Sequence, residues 1–227
     1  MKKIILIITS FFSILTLAQK KYTFDKAVAI EVNDIKDSIV SKQYNLYNSM
    51  KDNYFSSIYF TKDSTSIFFR DFNGIQIIQA RVDSTSFIKS ETVTIDCKLV
   101  GKNYNNLKFK AKEYDYVQHD DTIYNGRSCM HLELKSNKNF KYQKRKKIQK
   151  CHIIIEKDEK QIPFIFFNTE LLFNTWKKNN LNIKGKTVYA YFIDIYGNIT
   201  MTFAFEYSDI NRNFIIPEDC DYTKTQE

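Results

Sequence analysis

Alternation with a period of two residues constrains this chain more than any other feature. In ITMTFAFEYS, Ile199, Met201, Phe203, Phe205 and Tyr207 fall on one side of an extended backbone, while Thr200, Thr202, Ala204, Glu206 and Ser208 fall on the other. Successive side chains of a strand point to opposite faces, so this pattern predicts a strand with one buried side. TVTIDCKLV does the same with Val93, Ile95, Cys97 and Leu99, and LKFKAKE sets Leu107, Phe109 and Ala111 against three lysines. Further strands are predicted over 24–32, 38–48, 53–60, 65–72, 75–82, 127–135, 148–156 and 187–195. One apolar and one polar face is the mark of antiparallel sheet with a wet side. The 19 Phe and 15 Tyr, against 5 Gly and 2 Pro, suit strands and argue against disorder.

Turn signals fall where such a sheet needs them. Asn73-Gly74 lies between apolar runs, the strongest short hairpin cue, and Gly197-Asn198 stands in the same role. The strings DSTSIF (63–68) and DSTSFI (83–88) suggest two successive hairpins of similar length, too few copies for a solenoid. A single inner segment reads as helix: NTELLFNTWKKN has Asn168 or Thr169 as N-cap, then Leu172, Phe173 and Trp176 at helical spacing. Lys177 and Lys178 in its last turn complement the helix dipole. Packing on the sheet is the ordinary role of such a helix; a lid over a concave sheet face is the sharper alternative.

The N-terminus has the layout of an export signal. Lys2 and Lys3 precede an apolar run from Ile4 to Leu17, and Thr16-Leu17-Ala18 offers small residues for cleavage. The run is shorter than the roughly 20 apolar residues of a membrane-spanning helix. The expectation is a signal peptide over 1–18, one β-rich domain over 19–220 and a short tail over 221–227.

These features together resemble the open half-barrels of the bacterial outer-membrane lipoprotein carrier and sorting superfamily, and their exported relatives in Gram-negative bacteria. DTIYNGRSCMHLEL (121–134) is similar to a Gly-containing strand common in those proteins, and FIDIYGNIT (192–200) is similar to one of their later hairpins. The carriers open with an amphipathic helix, whereas YTFDKAVAIEV alternates like a strand. The expected fold is therefore β-dominated: one curved antiparallel sheet or open half-barrel of about 8–11 strands, with one helix packed near 169–178. The resemblance implies an apolar ligand, such as an acyl chain, held on the concave face in the envelope, periplasmic or at the cell surface. Trp176, Ile199, Met201, Phe203 and Phe205 are the residues expected to line that face.

Four cysteines in an exported chain make disulfides the default. Strands 127–135 and 148–156 are joined by a short basic loop; if it centres near 140–142, Cys129 lies opposite Cys151 or one pair away. A Cys129–Cys151 bridge is the expectation. The alternative is a metal site built from Cys129, His131 and Cys151, a catalytic count of three ligands, with Cys151 and His152 on opposite faces. Cys97 reads as a buried thiol, and a pair with Cys220 follows only by elimination. His119-Asp120-Asp121 reads as a solvated turn in a polar connection. No nucleophile elbow, phosphate loop or His-Glu-x-x-His is present, so no enzyme class is named and no cofactor is expected.

KYQKRKKIQK (141–150) places Lys141, Lys144, Arg145, Lys146, Lys147 and Lys150 at a hairpin tip, the whole formal excess of +6 left after Lys2 and Lys3 are removed. A solvated, self-repelling tip is one account. Contact with an anionic membrane surface is the functional one, with Phe140 and Tyr142 at the interface. Export argues against nucleic acid. Three functions follow in order: a non-enzymatic envelope protein that binds an apolar ligand, a structural or protein-interaction module whose sheet is filled by its own core, and a metal-dependent hydrolase using His131, Cys129 and His119.

Overall fold

A computed structural model describes residues 20–72, 76–102, 110–158, 160–163, 170–217 and 220. The expected signal peptide, the Asn73-Gly74 turn, Leu107 and Phe109, the Asn168 or Thr169 cap and the tail over 221–227 lie outside the described residues. The first five strands are β1 (Lys20–Asp34), β2 (Ile39–Asn48), β3 (Lys51–Phe60), β4 (Ser64–Asp71) and β5 (Gln76–Asp83). Two short strands follow, β6 (Thr92–Thr94) and β7 (Val100–Lys102). The remainder are β8 (Tyr114–Tyr124), β9 (Arg127–Ser136), β10 (Lys150–Glu156), β11 (Lys186–Ile193) and β12 (Ile199–Ile216). All belong to one sheet in the order β7-β5-β4-β3-β2-β1-β12-β11-β10-β9-β8. The end strands β7 and β8 do not pair, so the sheet is open. Every neighbour on that path is antiparallel; β6 alone runs parallel, beside the end of β12.

The chain's first and last long strands close its middle. β1 pairs along nearly its whole length with β12, from Lys20 opposite Ile216 to Asp34 opposite Met201. These two strands serve two cores. Val28, Ile30, Val32, Phe203 and Phe205 enter one, together with Leu132, Leu134, Ile153, Ile155 and the helix at 170–179. Tyr22, Phe24, Phe214 and Ile216 enter the other, with Ile58, Ile67, Phe69, Phe87 and Ile95. The register shift between Phe24 and Lys26 lies where the strands pass from one core to the other. A bulge bends the ladder and re-aims side chains, which lets one strand pair supply two separate packing surfaces.

Among the described residues, three α-helices accompany the sheet: α1 (Ser84–Lys89), α2 (Phe140–Lys146) and α3 (Glu170–Asn179). Only α3 was expected. α1 occupies the second DSTS string, where a second hairpin was expected. There Asp83 caps the helix by accepting from the Ser86 amide at 2.7 Å, and Phe87 is buried beneath. The first string instead leads into β4, which is paired on both sides. The two strings touch, Thr65 Oγ1 to Ser84 Oγ at 3.1 Å. Identical residues adopt different structures because one copy has strand partners and the other has a cap.

The strand expected across Val93 to Leu99 is broken. Asp96 accepts from the Lys98 amide at 2.9 Å and starts a 3₁₀ turn over Cys97–Leu99 between β6 and β7. Ala111 likewise sits in a 3₁₀ turn, Lys110–Glu113, and not in a strand. Conversely, the polar connection expected around His119-Asp120-Asp121 is strand. His119 lies opposite His131 and Thr122 opposite Cys129, so β8 carries one extra residue in a bulge. Its outer face is so polar that the alternation was hidden. Among the described residues, no helix is long and apolar enough to cross a membrane.

Candidate ligand chamber

α3 is laid across the inner face of the sheet and fastened at both sides. Phe173 stacks on Phe72, beyond the end of β4, with centroids 4.4 Å apart. Trp176 meets Tyr116 of β8 edge-on at 5.5 Å. Lys177 pairs with Asp52 of β3 at 2.8 Å and Lys178 with Asp115 of β8 at 2.6 Å. Burial of the aromatic face supplies most of the docking energy, and the two exposed ion pairs add little.

Beside α3 the inner face is not filled. A chamber of about 600 Å³ remains, open to solvent, between the sheet, the α3 residues Leu171 and Leu172, and the end of α2. Its floor is one row across four strands: Leu134 of β9 opposite Cys151 of β10, Cys151 opposite Phe192 of β11, and Phe192 opposite Met201 of β12. Val32 and Phe203, opposed across β1 and β12, extend it. Directly opposed residues share a face, so register alone builds this apolar surface. Burial pushes the Cys151 thiol up to about 12, which leaves it protonated and inert in the wall.

Of the residues expected on that face, Met201 and Phe203 line the chamber. Trp176 and Phe205 lie in the core and do not line it; Ile199 is 46 % exposed, beyond the chamber's edge. Val32, Leu134, Phe192, Leu171 and Leu172 were not anticipated. Each lies on an apolar stripe, but only the pairing register assembles the stripes.

The basic segment is a helix, not a bare turn. Asn139 caps α2 by accepting from the Tyr142 amide at 2.9 Å, and Lys147 ends it in a left-handed conformation, φ 49°. Lys146 and Lys147 stand at the chamber's rim. Lys141, Lys144 and Arg145 are exposed on the helix. Lys150 belongs elsewhere: it lies on β10 and its ammonium is 3.2 Å from Glu133. Phe140 is 60 % exposed and Tyr142 half-buried.

The expected Cys129–Cys151 bridge does not form. β9 and β10 are in a register that puts Cys129 opposite Glu156 and Cys151 opposite Leu134, and both thiols are free and buried. Insertion of α2 moves the hairpin's centre to between 142 and 143, and each residue of shift in the centre displaces a partner by two. Cys151 therefore faces the chamber and Cys129 the outer face. The disulfide is Cys97–Cys220, with Cα atoms 4.8 Å apart.

The proposed ligand trio of Cys129, His131 and Cys151 is thereby split across two faces. The outer face instead gathers all three histidines of the chain. His119 Nε2 is 2.8 Å from Glu133 Oε2, His131 Nε2 is 2.9 Å from His152 Nδ1, and the His119 and His131 rings lie 4.8 Å apart. His152 is stacked on Tyr191 at 4.7 Å. Burial depresses the His131 and His152 pKa values, His152 to about 4, and mutual repulsion adds to it. Glu133 is almost fully buried; burial raises its pKa, and hydrogen bonds from His119 and Lys150 outweigh that, so it lies below the ordinary carboxyl range. Among the described residues, no three His, Cys, Asp or Glu side chains are arranged to hold a metal.

No family model and no curated protein matches the sequence. Solved structures do. The Pseudomonas aeruginosa MucA/MucB complex is 9% identical, covering 82% of this chain and 51% of that chain, with a TM-score of 0.38. A LolA superfamily protein from Nitrosomonas europaea is 12% identical over 84% of this chain and 86% of its own, TM-score 0.30. A DUF1329 family protein from Desulfovibrio piger is 11% identical over 88% of both, TM-score 0.31. The chain spans about half the length of the MucB chain it matches.

Proposed function

We propose that the chain is an exported, non-enzymatic protein of the Gram-negative envelope that holds an acyl chain or another apolar ligand against the inner face of its sheet. The observation that carries this reading is the chamber of about 600 Å³ walled by Leu134, Phe192, Met201, Phe203 and Leu172. That volume lies within the range of small-molecule sites, and a mostly apolar wall with a few polar groups at the rim is their usual make-up. The leader over 1–18 supports export, with the mature chain beginning at Gln19.

Native mass spectrometry of the processed chain, purified without detergent, tests both parts. The expected result is an N-terminus at Gln19 and an added mass of a few hundred daltons, lost on denaturation and reduced in Met201→Lys. A ligand-free protein that also fails to bind long-chain alcohols would overturn the reading. It would leave the alternative, a structural or protein-interaction module.

A further inference from the structure

The apolar chamber has a cationic neighbour. A second recess of about 400 Å³ is lined by Lys36, Lys144, Lys147 and Tyr196. Lys147, Ile148 and Gln149 line both spaces, so a short sill after α2 is all that separates them. We propose that the chamber's ligand is an anionic amphiphile: its chain lies in the apolar space and its phosphate or carboxylate sits in this recess among Lys36, Lys144 and Lys147. The inference rests on the reading above and adds the ligand's charge and polarity.

Three observations support it. The first is that the cations here are not engaged in ion pairs. Lys138, Lys150, Lys157, Lys177 and Lys178 each lie within 4.0 Å of a carboxylate, whereas Lys36, Lys144 and Lys147 form no such pair with any described residue. The second is that the one carboxylate lining the recess is already engaged. Asp194 accepts from the Tyr196 and Asn198 amides at 2.8 and 2.9 Å, and from the Asn198 side chain at 3.2 Å. Asp194 keeps its negative charge while holding the β11–β12 turn, and three ammonium groups outnumber it in the lining. The third is placement. The left-handed residue that terminates α2 is Lys147 itself, with its amide on the Gln143 and Lys144 carbonyls, so the helix end delivers this lysine to the boundary between the two spaces. Lys144 lies over the Tyr196 ring at 6.0 Å, on the recess's far wall. An ammonium is a strongly hydrated point charge that suits phosphate or carboxylate without demanding a planar fork.

Isothermal titration of the full processed chain with twelve-carbon probes, each below its micelle concentration, decides the matter. Dodecyl phosphate and dodecanoate are the anionic probes, dodecyl maltoside the uncharged one and dodecyltrimethylammonium the cationic one. The expected result is binding of at least one anionic probe ten-fold or more tighter than the uncharged probe, weakening as salt is raised. In the double variant Lys144→Gln, Lys147→Gln the anionic affinity should fall to that of the uncharged probe, with an unchanged melting temperature because both side chains are exposed. Equal affinity for all probes would overturn the inference while the apolar chamber stands. Failure of every probe would overturn both. Binding to anionic phospholipid vesicles without binding of either monomeric anion would also overturn it, assigning the lysines to a membrane surface. Comparing phosphate with carboxylate identifies which head group the recess takes.

Discussion

At the scale of single residues, the outer-face histidines make the protein's stability depend on pH. His152 is held to about 4 in the folded chain by burial, with repulsion from His131, His119 and Lys150 added and Glu133 opposing. A free imidazole titrates near 6.5. Between those values the unfolded chain binds more protons than the folded one. The stabilisation is therefore complete above about 6.5 and is lost as pH falls toward 4. His131 is shifted in the same direction, chiefly by burial. Urea unfolding should show a lower midpoint at pH 5 than at pH 7.5, and His152→Gln should shrink that difference. A midpoint that rises on acidification would contradict the arrangement. None of this was legible in the sequence, where His119 stood in what read as a turn. Three residues far apart in the chain met because β8, β9 and β10 pair in one particular register.

At the scale of elements, α3 was legible and its partners were not. Leu172, Phe173 and Trp176 at helical spacing announced an apolar face, and that face is buried. Spacing says nothing about what lies opposite, which proved to be Phe72 and Tyr116. Trp176→Ala should cost about 3–5 kcal/mol, the usual range for deleting a large buried aromatic side chain. A loss below about 1 kcal/mol in denaturant titration would mean that α3 is docked more loosely than its burial implies. The helix α2 was hidden for the opposite reason. Its seven residues carry four positive charges and bury no side chain, so no apolar periodicity marks it. Asn139 at its start was the only local sign. Without that helix the hairpin would centre near 140 and set Cys129 opposite Cys151; with it, Cys151 faces Leu134.

At the scale of the whole molecule, the two cores are joined through β1 and β12, and the Cys97–Cys220 bond secures the second of them. The bond joins residues 123 positions apart and ties the segment after β12 to the turn before β7, next to Ile95, Phe214 and Ile216. A cross-link across so long a loop restricts the unfolded chain strongly. Cys220→Ser should lower stability by about 2–4 kcal/mol, read as a lower urea midpoint. Reducing agent should lower the wild-type midpoint to the same value and leave the variant unmoved. An equal response of both proteins to reductant would show that the bond is not formed.

The alternation of apolar and polar residues determined, with no help from tertiary structure, that the chain is strand-rich, that its strands are two-faced and where most of them run. That is local information, because the direction of a side chain from an extended backbone depends only on its parity. Only the tertiary structure decided which strands are neighbours and in what register. Those two choices, which involve residues from nine to nearly two hundred positions apart, set the apolar floor from Leu134 to Met201, the separation of Cys129 from Cys151, the histidine cluster, and the lysines that border the chamber.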